Sequence, residues 1–237
     1  MRFERVSEHI SRLELPRKFF GRINVPVSAY LVRQGNDFHL VDTGVPESAG
    51  ILIKALREAT AGRGPQSVLL THAHHDHAGG LNALQVAWRP EVICHRDEAP
   101  FVTGDMTYRQ LKAGSFAFWL GRLLMTTSGW AVKLAQVVDG GQSVAGMVVI
   151  HLPGHTPGSI AFLHPQDQAV ICGDAVMNVR GRLSRAFPFF TQDPQAALAA
   201  IHRLADLDCQ LLLPAHGAPI ERDVRDTLLD FLKRHEN

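Results

Sequence analysis

Apolar and polar positions along the chain predict short strands and helices that follow one another. Ile10–Leu15 alternates apolar and polar residues, as a strand with one buried face does. Residues 27–32 and 38–41 predict two further strands, joined by a Gly-Asn-Asp turn. Residues 46–61 carry apolar side chains at spacings of three and four, which predicts a helix.

The same succession of short strands and helices continues to the C-terminus. Further strands are predicted at 67–70, 92–94, 136–138, 147–152, 160–163, 169–172 and 211–213, and further helices at 78–87, 194–207 and 221–234. This order predicts an α/β fold. Residues 101–135 interrupt it, and 116–125 is apolar on nearly every face. We expect a helical insertion there that packs on the domain, contacts an apolar substrate or forms a homodimer contact.

Composition limits the function classes. The 237 residues, 46% apolar and 20% charged, predict one globular domain over 1–237. A net charge of +1 argues against a nucleic-acid partner. Charges at the N-terminus argue against a signal peptide, and no apolar run is long enough to predict a membrane span. Three cysteines in apolar surroundings, Cys94, Cys172 and Cys209, predict buried free thiols and a cytoplasmic location.

One stretch carries the chemistry. Residues 71–80 place four imidazoles and one carboxylate between His72 and His77. Imidazole and carboxylate are the ligands that first-row metal ions find at neutral pH. The preceding strand and the following helix place this stretch where α/β proteins commonly carry their active residues. The sequence therefore predicts a metal site here.

Other metal-type residues also follow short apolar strands and stand beside glycine: Asp42, His155, Asp174 and His216. Asp42 is interpreted either as a simple turn residue or as a group that orients a metal-bound histidine. Because several strand ends carry such residues, we expect them to converge on one edge of a layered α/β structure.

These segments together resemble the metallo-β-lactamase superfamily in order and approximate spacing. The matching segments are Leu-Val-Asp-Thr-Gly at 40–44, Thr-His-Ala-His-His-Asp-His at 71–77, Gly-His at 154–155, Gly-Asp at 173–174 and Ala-His-Gly at 215–217. The resemblance spans nearly the whole chain and leaves only 101–135 without a counterpart. It implies a four-layer αβ/βα sandwich of two similar halves, with metals at one edge between the sheets.

The resemblance also implies roles for individual residues. It makes His72, His74 and His155 ligands of a first metal, Asp76, His77 and His216 ligands of a second, Asp174 a bridge between both, and Asp42 a supporting group. His75 is expected to point away from the metals. The expected cofactor is two zinc ions, with one iron, mixed iron and zinc, or manganese as alternatives. A hydroxide shared by the metals would attack an acyl carbon, with Asp76 and Asp174 as catalytic residues.

Within the superfamily, the sequence narrows the reaction. Exported β-lactamases carry Cys or Ser where this chain has Asp174, which disfavours antibiotic hydrolysis. N-acyl homoserine lactonases usually have Tyr at the position of Met177, and glyoxalase II-like thioesterases commonly have His at that of Ser159. We expect a hydrolase of a small ester, lactone or thioester that resembles the N-acyl homoserine lactonases, with a glyoxalase II-like thioesterase as an alternative. The aromatic stretch 187–190 and the apolar stretch 116–125 suggest a substrate with an acyl chain. A mononuclear-iron persulfide dioxygenase is the alternative from a different class.

Overall fold

The computed structural model describes residues 1–19, 23–123, 125 and 130–235. Internal contacts divide the chain into two compact units. The first comprises Met1–Asp105 and Ser128–Val138, and the second comprises Met106–Thr127 and Asp139–Asn237. Each unit has its own main β-sheet.

The strands of the described residues, in chain order, are β1 (Glu4–Arg5), β2 (Ile10–Leu15), β3 (Lys18–Phe19), β4 (Ile23–Asn24), β5 (Val27–Gln34), β6 (Asp37–Val41), β7 (Ser67–Leu69), β8 (Glu91–His95), β9 (Gln136–Val138), β10 (Ser143–Val144), β11 (Met147–His151), β12 (Ile160–His164), β13 (Ala169–Gly173), β14 (Met177–Val179), β15 (Arg182–Ser184) and β16 (Leu211–Pro214).

The α-helices of the same residues are α1 (Ala49–Ala59), α2 (His75–Ala78), α3 (Leu81–Ala87), α4 (Ala99–Thr103), α5 (Phe116–Gly121), α6 (Pro194–Ala205) and α7 (Val224–Lys233). Short 3₁₀ turns lie at Pro46–Ser48, Arg96–Glu98, Tyr108–Gln110 and Pro188–Phe190.

The sheet of the first unit has the order β1-β2-β5-β6-β7-β8-β9. Its first strands are antiparallel, and β6, β7, β8 and β9 are parallel. Val41 pairs with Leu69, so the residues after β6 and β7 emerge side by side at one edge. The buried face of α1, with Leu52 and Leu56 fully buried, contributes to the core of this unit.

The sheet of the second unit has the order β10-β11-β12-β13-β16. β13 and β16 run parallel, with Gly173 opposite Pro214, so the residues after these two strands also emerge together. Helices α6 and α7 pack on each other, and their buried residues Ile201, Leu204 and Phe231 belong to the same core as the strands. A hairpin of β14 and β15 lies after the end of β13.

Most predicted elements are confirmed, with shifted ends. The predicted helix 46–61 is a 3₁₀ turn followed by α1, which stops at Ala59. The predicted helix 78–87 is two helices, α2 and α3, separated by Gly79 and Gly80, so helical structure already begins inside the histidine cluster. Within 116–125 the helix ends at Gly121; Leu124 lies outside the described residues.

The two-residue strands and the β14–β15 hairpin are not predicted by the hydrophobic pattern, because they are too short to show an alternation. Cys94 and Cys172 are buried free thiols, as predicted, whereas Cys209 is free but only half-buried. Burial raises the pKa of all three thiols. Among the described residues, no helix has the length and apolar character that a membrane crossing requires.

Candidate metal centre

In the first unit, the carboxylate of Asp42 organises the residues around the histidine cluster. Asp42 follows β6 with a φ of 60°, a left-handed conformation that Asp tolerates better than most residues. Its Oδ1 accepts a hydrogen bond from the Thr71 backbone N–H at 2.8 Å, and its Oδ2 accepts one from the Thr71 hydroxyl at 2.7 Å. Oδ2 also lies 2.8 Å from Nδ1 of His77. Asp42 is therefore a buried orienting group and not merely a turn residue.

This contact determines how His77 presents its second nitrogen. Because an ionised carboxylate only accepts hydrogen bonds, Nδ1 of His77 carries the hydrogen in the neutral ring, and Nε2 keeps its lone pair. Nε2 lies 3.8 Å from Oδ2 of Asp76. His77 is fully buried. A neutral imidazole held through Nδ1 by a carboxylate is the usual arrangement of a metal-binding histidine.

His72 and His74 also direct ring nitrogens towards each other. Nε2 of His72 lies 3.1 Å from Nδ1 of His74, and the two rings meet edge to face. Glu98, fully buried, accepts a hydrogen bond from the backbone N–H of Ala73 at 2.8 Å and so fixes the loop between the two histidines. At most one of two neutral imidazoles places a hydrogen at such a contact. At least one nitrogen lone pair of the two rings is therefore not used by the contact and can bind a cation.

Asp76 forms an ion pair that the sequence did not reveal. Nη1 of Arg17, from the segment after β2, lies 3.0 Å from Oδ2 of Asp76. Both side chains are mostly buried. The guanidinium stabilises the ionised carboxylate, which is the form that binds a metal or accepts a proton.

The glycines after the cluster allow the backbone to approach the end of β6. A Cβ on Gly80 would lie 2.6 Å from the carbonyl oxygen of Thr43, too close for any other residue. Thr43 donates both its backbone N–H and its hydroxyl to the carbonyl of His77 and accepts from the Gly80 N–H. The cluster is thus tied to the Asp42 segment by backbone as well as by side chains.

His75, the remaining histidine of the cluster, packs on an aromatic ring. Its ring centroid lies 5.6 Å from that of Trp130, which is buried. The ring of His75 therefore packs against Trp130 within the first unit.

In the second unit, Asp174 lies between two histidines. Its Oδ2 is 3.5 Å from Nε2 of His155, and its Oδ1 is 3.5 Å from Nε2 of His216. The three residues come from the ends of three different strand segments, and all are largely buried. Each oxygen of this one carboxylate therefore faces a different imidazole.

His155 is oriented by a residue that sequence reasoning missed. Its Nδ1 lies 3.1 Å from the hydroxyl of Thr191, which precedes α6. The backbone carbonyl of His155 accepts from the N–H of Gln192, and Gly154, at a φ of 137°, lies so close to α6 that a Cβ would meet the backbone nitrogen of Ala197 at 2.1 Å. The start of α6 thus fixes both the backbone and the ring of His155.

His216 is held by the hairpin. The backbone N–H of Asn178, on β14, donates to the His216 carbonyl at 2.9 Å, and the Asn178 amide donates to the Ala218 carbonyl at 2.9 Å. Met177, beside Asn178, is buried. Ser159 is also buried, and its hydroxyl contacts that of Thr156 at 2.8 Å in a turn.

The structure thus brings the predicted residues together within each unit: Asp42, His72, His74, Asp76 and His77 in the first, and His155, Asp174 and His216 in the second. Sequence reasoning missed Arg17, Glu98, Thr191 and Asn178. Only Glu98, which follows a buried strand, carried a signal that could have been noticed.

The donor groups fit divalent metal ions of the first row. They are imidazoles and carboxylates, with no thiolate, and the second nitrogens of His77 and His155 contact oxygen atoms that orient their rings.

Comparisons with known proteins agree with this chemistry. Residues 22–216 match the model of the metallo-β-lactamase superfamily. The uncharacterised protein YobT of Bacillus subtilis is 32% identical over 216 residues, which covers 83% of this chain and 87% of YobT. The probable metallo-hydrolase YflN of the same organism is 28% identical, over a match that covers 86% of this chain and 84% of YflN. The crystal structure of TTHA1623 in a di-iron-bound form is 29% identical, with a TM-score of 0.62, and covers 90% of this chain and 94% of that chain.

Fold and donor residues therefore define the class of metal-dependent hydrolases. The chain belongs to the metallo-β-lactamase superfamily. The family, the fold class and the enzyme class expected from the motifs are confirmed.

Proposed function

We propose that this metallo-hydrolase holds two metal ions and cleaves a small ester, lactone or thioester. His72, His74 and His155 would hold the first ion, Asp76, His77 and His216 would hold the second, and Asp174 would serve both. One observation carries this proposal: the two oxygens of Asp174 face two different imidazoles, those of His155 and His216, at 3.5 Å each. A carboxylate that binds two cations offers one oxygen to each.

When bound, two such cations supply a Lewis acid for the carbonyl oxygen and a hydroxide at neutral pH. The protein's own side chains supply the positioning and the proton transfer. Asp42 and Thr191 keep the rings of His77 and His155 in position. Asp76 accepts the proton of the attacking water and passes it to the leaving group, and Arg17 keeps its carboxylate ionised for that role.

The surroundings favour an ester or thioester over a homoserine lactone. At the position of the lactonase tyrosine this chain has Met177, which is buried on β14 and offers no hydroxyl to a substrate. Zinc is the proposed metal because its preferred ligands are those present here. The di-iron form of TTHA1623 makes iron the second candidate.

Elemental analysis of the purified protein, beside a panel of thioester, ester, lactone and β-lactam substrates, tests the proposal. We expect two metal ions per chain and turnover of thioesters or esters. One iron per chain with oxygen consumption on a persulfide would instead support an oxygenase. A protein without tightly bound metal and without turnover would refute the proposal.

A further inference from the structure

A cavity of about 60 Å³ adjoins Asp174 within the second unit. Its walls are mostly apolar and include Ala186, Leu198 and Ile201. The residues with polar side chains along it are Asp174, Thr191 and Arg185. Two of these polar residues, Asp174 and Thr191, already belong to the metal centre, which places the cavity where part of a substrate would lie.

Arg185 is the unexplained member of this lining. Its Nη2 donates to the backbone carbonyl of His235 at 2.9 Å, which fixes the guanidinium beside the end of α7. Its Nε is buried, and within the described part of the chain it has no hydrogen-bond partner. A buried donor without an acceptor costs free energy, so an acceptor supplied by a ligand would account for it.

The size of the cavity limits the occupant. Its 60 Å³ is less than half of the roughly 150 Å³ that accommodates benzene in an engineered protein cavity. A chain of about two or three carbons fits such a space. The apolar walls suit methylene groups, and the positive charge of Arg185 suits a carboxylate, which forms a charge-assisted hydrogen bond with an arginine N–H.

We propose that this cavity binds the acyl part of a short dicarboxylic acid half-thioester or half-ester, with the free carboxylate on Arg185 and the scissile carbonyl towards Asp174. This inference rests on the proposed hydrolase function. In the reaction, water adds its oxygen to the acyl carbon and the bond from carbon to sulfur breaks. One proton of the water leaves with the thiol and the other is released to solvent, so the products are a dicarboxylate, a thiol and a proton.

The test compares two thioesters of the same thiol, N-acetylcysteamine. Succinate and butyrate give acyl groups of equal length, and only the succinyl group ends in a carboxylate. The metal-loaded wild-type protein should prefer the succinyl thioester. Arg185→Gln should lower the ratio of kcat/KM for succinyl over butyryl at least about tenfold, because the charged contact is lost. Arg182→Gln, which changes an exposed arginine of β15, should leave that ratio at the wild-type value.

A substitution that fills the cavity tests the proposed binding of the acyl group independently of the charge of Arg185. Ala197→Leu adds bulk to the lining and should raise KM for both thioesters, whereas Ala199→Leu, at an exposed position of the same helix, should not. Calorimetric titration with succinate supplies a readout other than turnover. Wild-type protein should bind succinate, and Arg185→Gln should bind it at least about tenfold more weakly.

The outcomes separate the two proposals. Turnover of both thioesters with an unaltered ratio in Arg185→Gln would overturn the cavity assignment and leave the hydrolase function standing. Succinate binding that depends on Arg185, without turnover of any thioester or ester, would support the cavity and refute the hydrolase function. Succinate binding equal in the wild type and in Arg185→Gln would overturn the cavity assignment by itself.

Discussion

The two units present metal-type side chains in opposite ways. In the first, five such residues lie within His72–His77, and the carboxylate of Asp42 makes three hydrogen-bonding contacts beside them, two to Thr71 and one to His77. In the second, His155, Asp174 and His216 come from separate strand ends. The difference teaches that a set of metal-type side chains can be encoded by adjacent residues in one unit and by strand topology in another.

The largest effect should come from the centre of the dispersed set. Asp174→Ala removes the carboxylate that faces both His155 and His216, and it should abolish binding of one or both of the proposed metal ions. We expect hydrolysis to fall at least about 10³-fold, more than the 10- to 100-fold typical of losing an outer partner. Elemental analysis, steady-state kinetics and circular dichroism of the variant measure metal, activity and fold. The control is Asp206→Ala, an exposed aspartate at the end of α6. Full metal content with full activity in Asp174→Ala would show that the bridge is misassigned.

The next largest effect should come from the carboxylate that supports the local cluster. Asp42→Asn keeps a residue type that tolerates positive φ but loses the charge that holds His77. We expect metal affinity to fall about 10- to 100-fold and the free energy of unfolding to fall by about 2 kcal/mol. Metal titration and urea denaturation measure the two effects. Asp105→Asn, which changes an exposed aspartate of the same unit, is the matched control.

The dispersed set of the second unit should respond less to loss of its own support. Thr191→Val deletes the hydroxyl that contacts Nδ1 of His155 and should weaken metal binding by about tenfold, the lower end of the range for such partners. Thr191→Ser restores a hydroxyl and should recover most of the affinity. Competition with a chromogenic chelator measures both variants. An effect of Thr191→Val larger than that of Asp42→Asn would reverse the contrast between the two units.

The smallest effect concerns a histidine of the first unit outside the cluster. Burial lowers the pKa of His39 below 6.5, against the opposing charges of Asp37 and Glu91. Below about pH 6.5 the unfolded chain therefore binds a proton at this position more readily than the folded protein, so acidification lowers stability. Between about pH 7.5 and about pH 5.5 the wild type should lose under about 1 kcal/mol more unfolding free energy than His39→Gln. Urea denaturation midpoints at both pH values measure the difference. An equal change of midpoint in the wild type and in His39→Gln would contradict it.

The same contrast explains how much the sequence could predict. The cluster from His72 to His77 could be recognised because its residues are adjacent, and strands such as Ile10–Leu15 because alternation repeats within a few residues. The placement of Asp174 and His216 beside each other needed the parallel pairing of β13 with β16, which no local pattern contains.

The supporting partners lay beyond prediction for a similar reason. Thr191 precedes α6 and is far in sequence from His155, and Arg17 is far from Asp76; a single threonine or arginine has no pattern around it. The Arg185 cavity depends on how a hairpin and a helix pack, which is decided by tertiary contacts. Family resemblance supplied the residue roles, and geometry supplied their neighbours.

The hydrogen bonds of Asp42 bear on how the loop backbone and one imidazole are coupled. All three contacts of this carboxylate join protein atoms, two of them at Thr71 and one at His77. One side chain therefore fixes both the start of the loop after β7 and the ring of His77. Any change at position 42 then alters a backbone segment and the orientation of an imidazole at the same time.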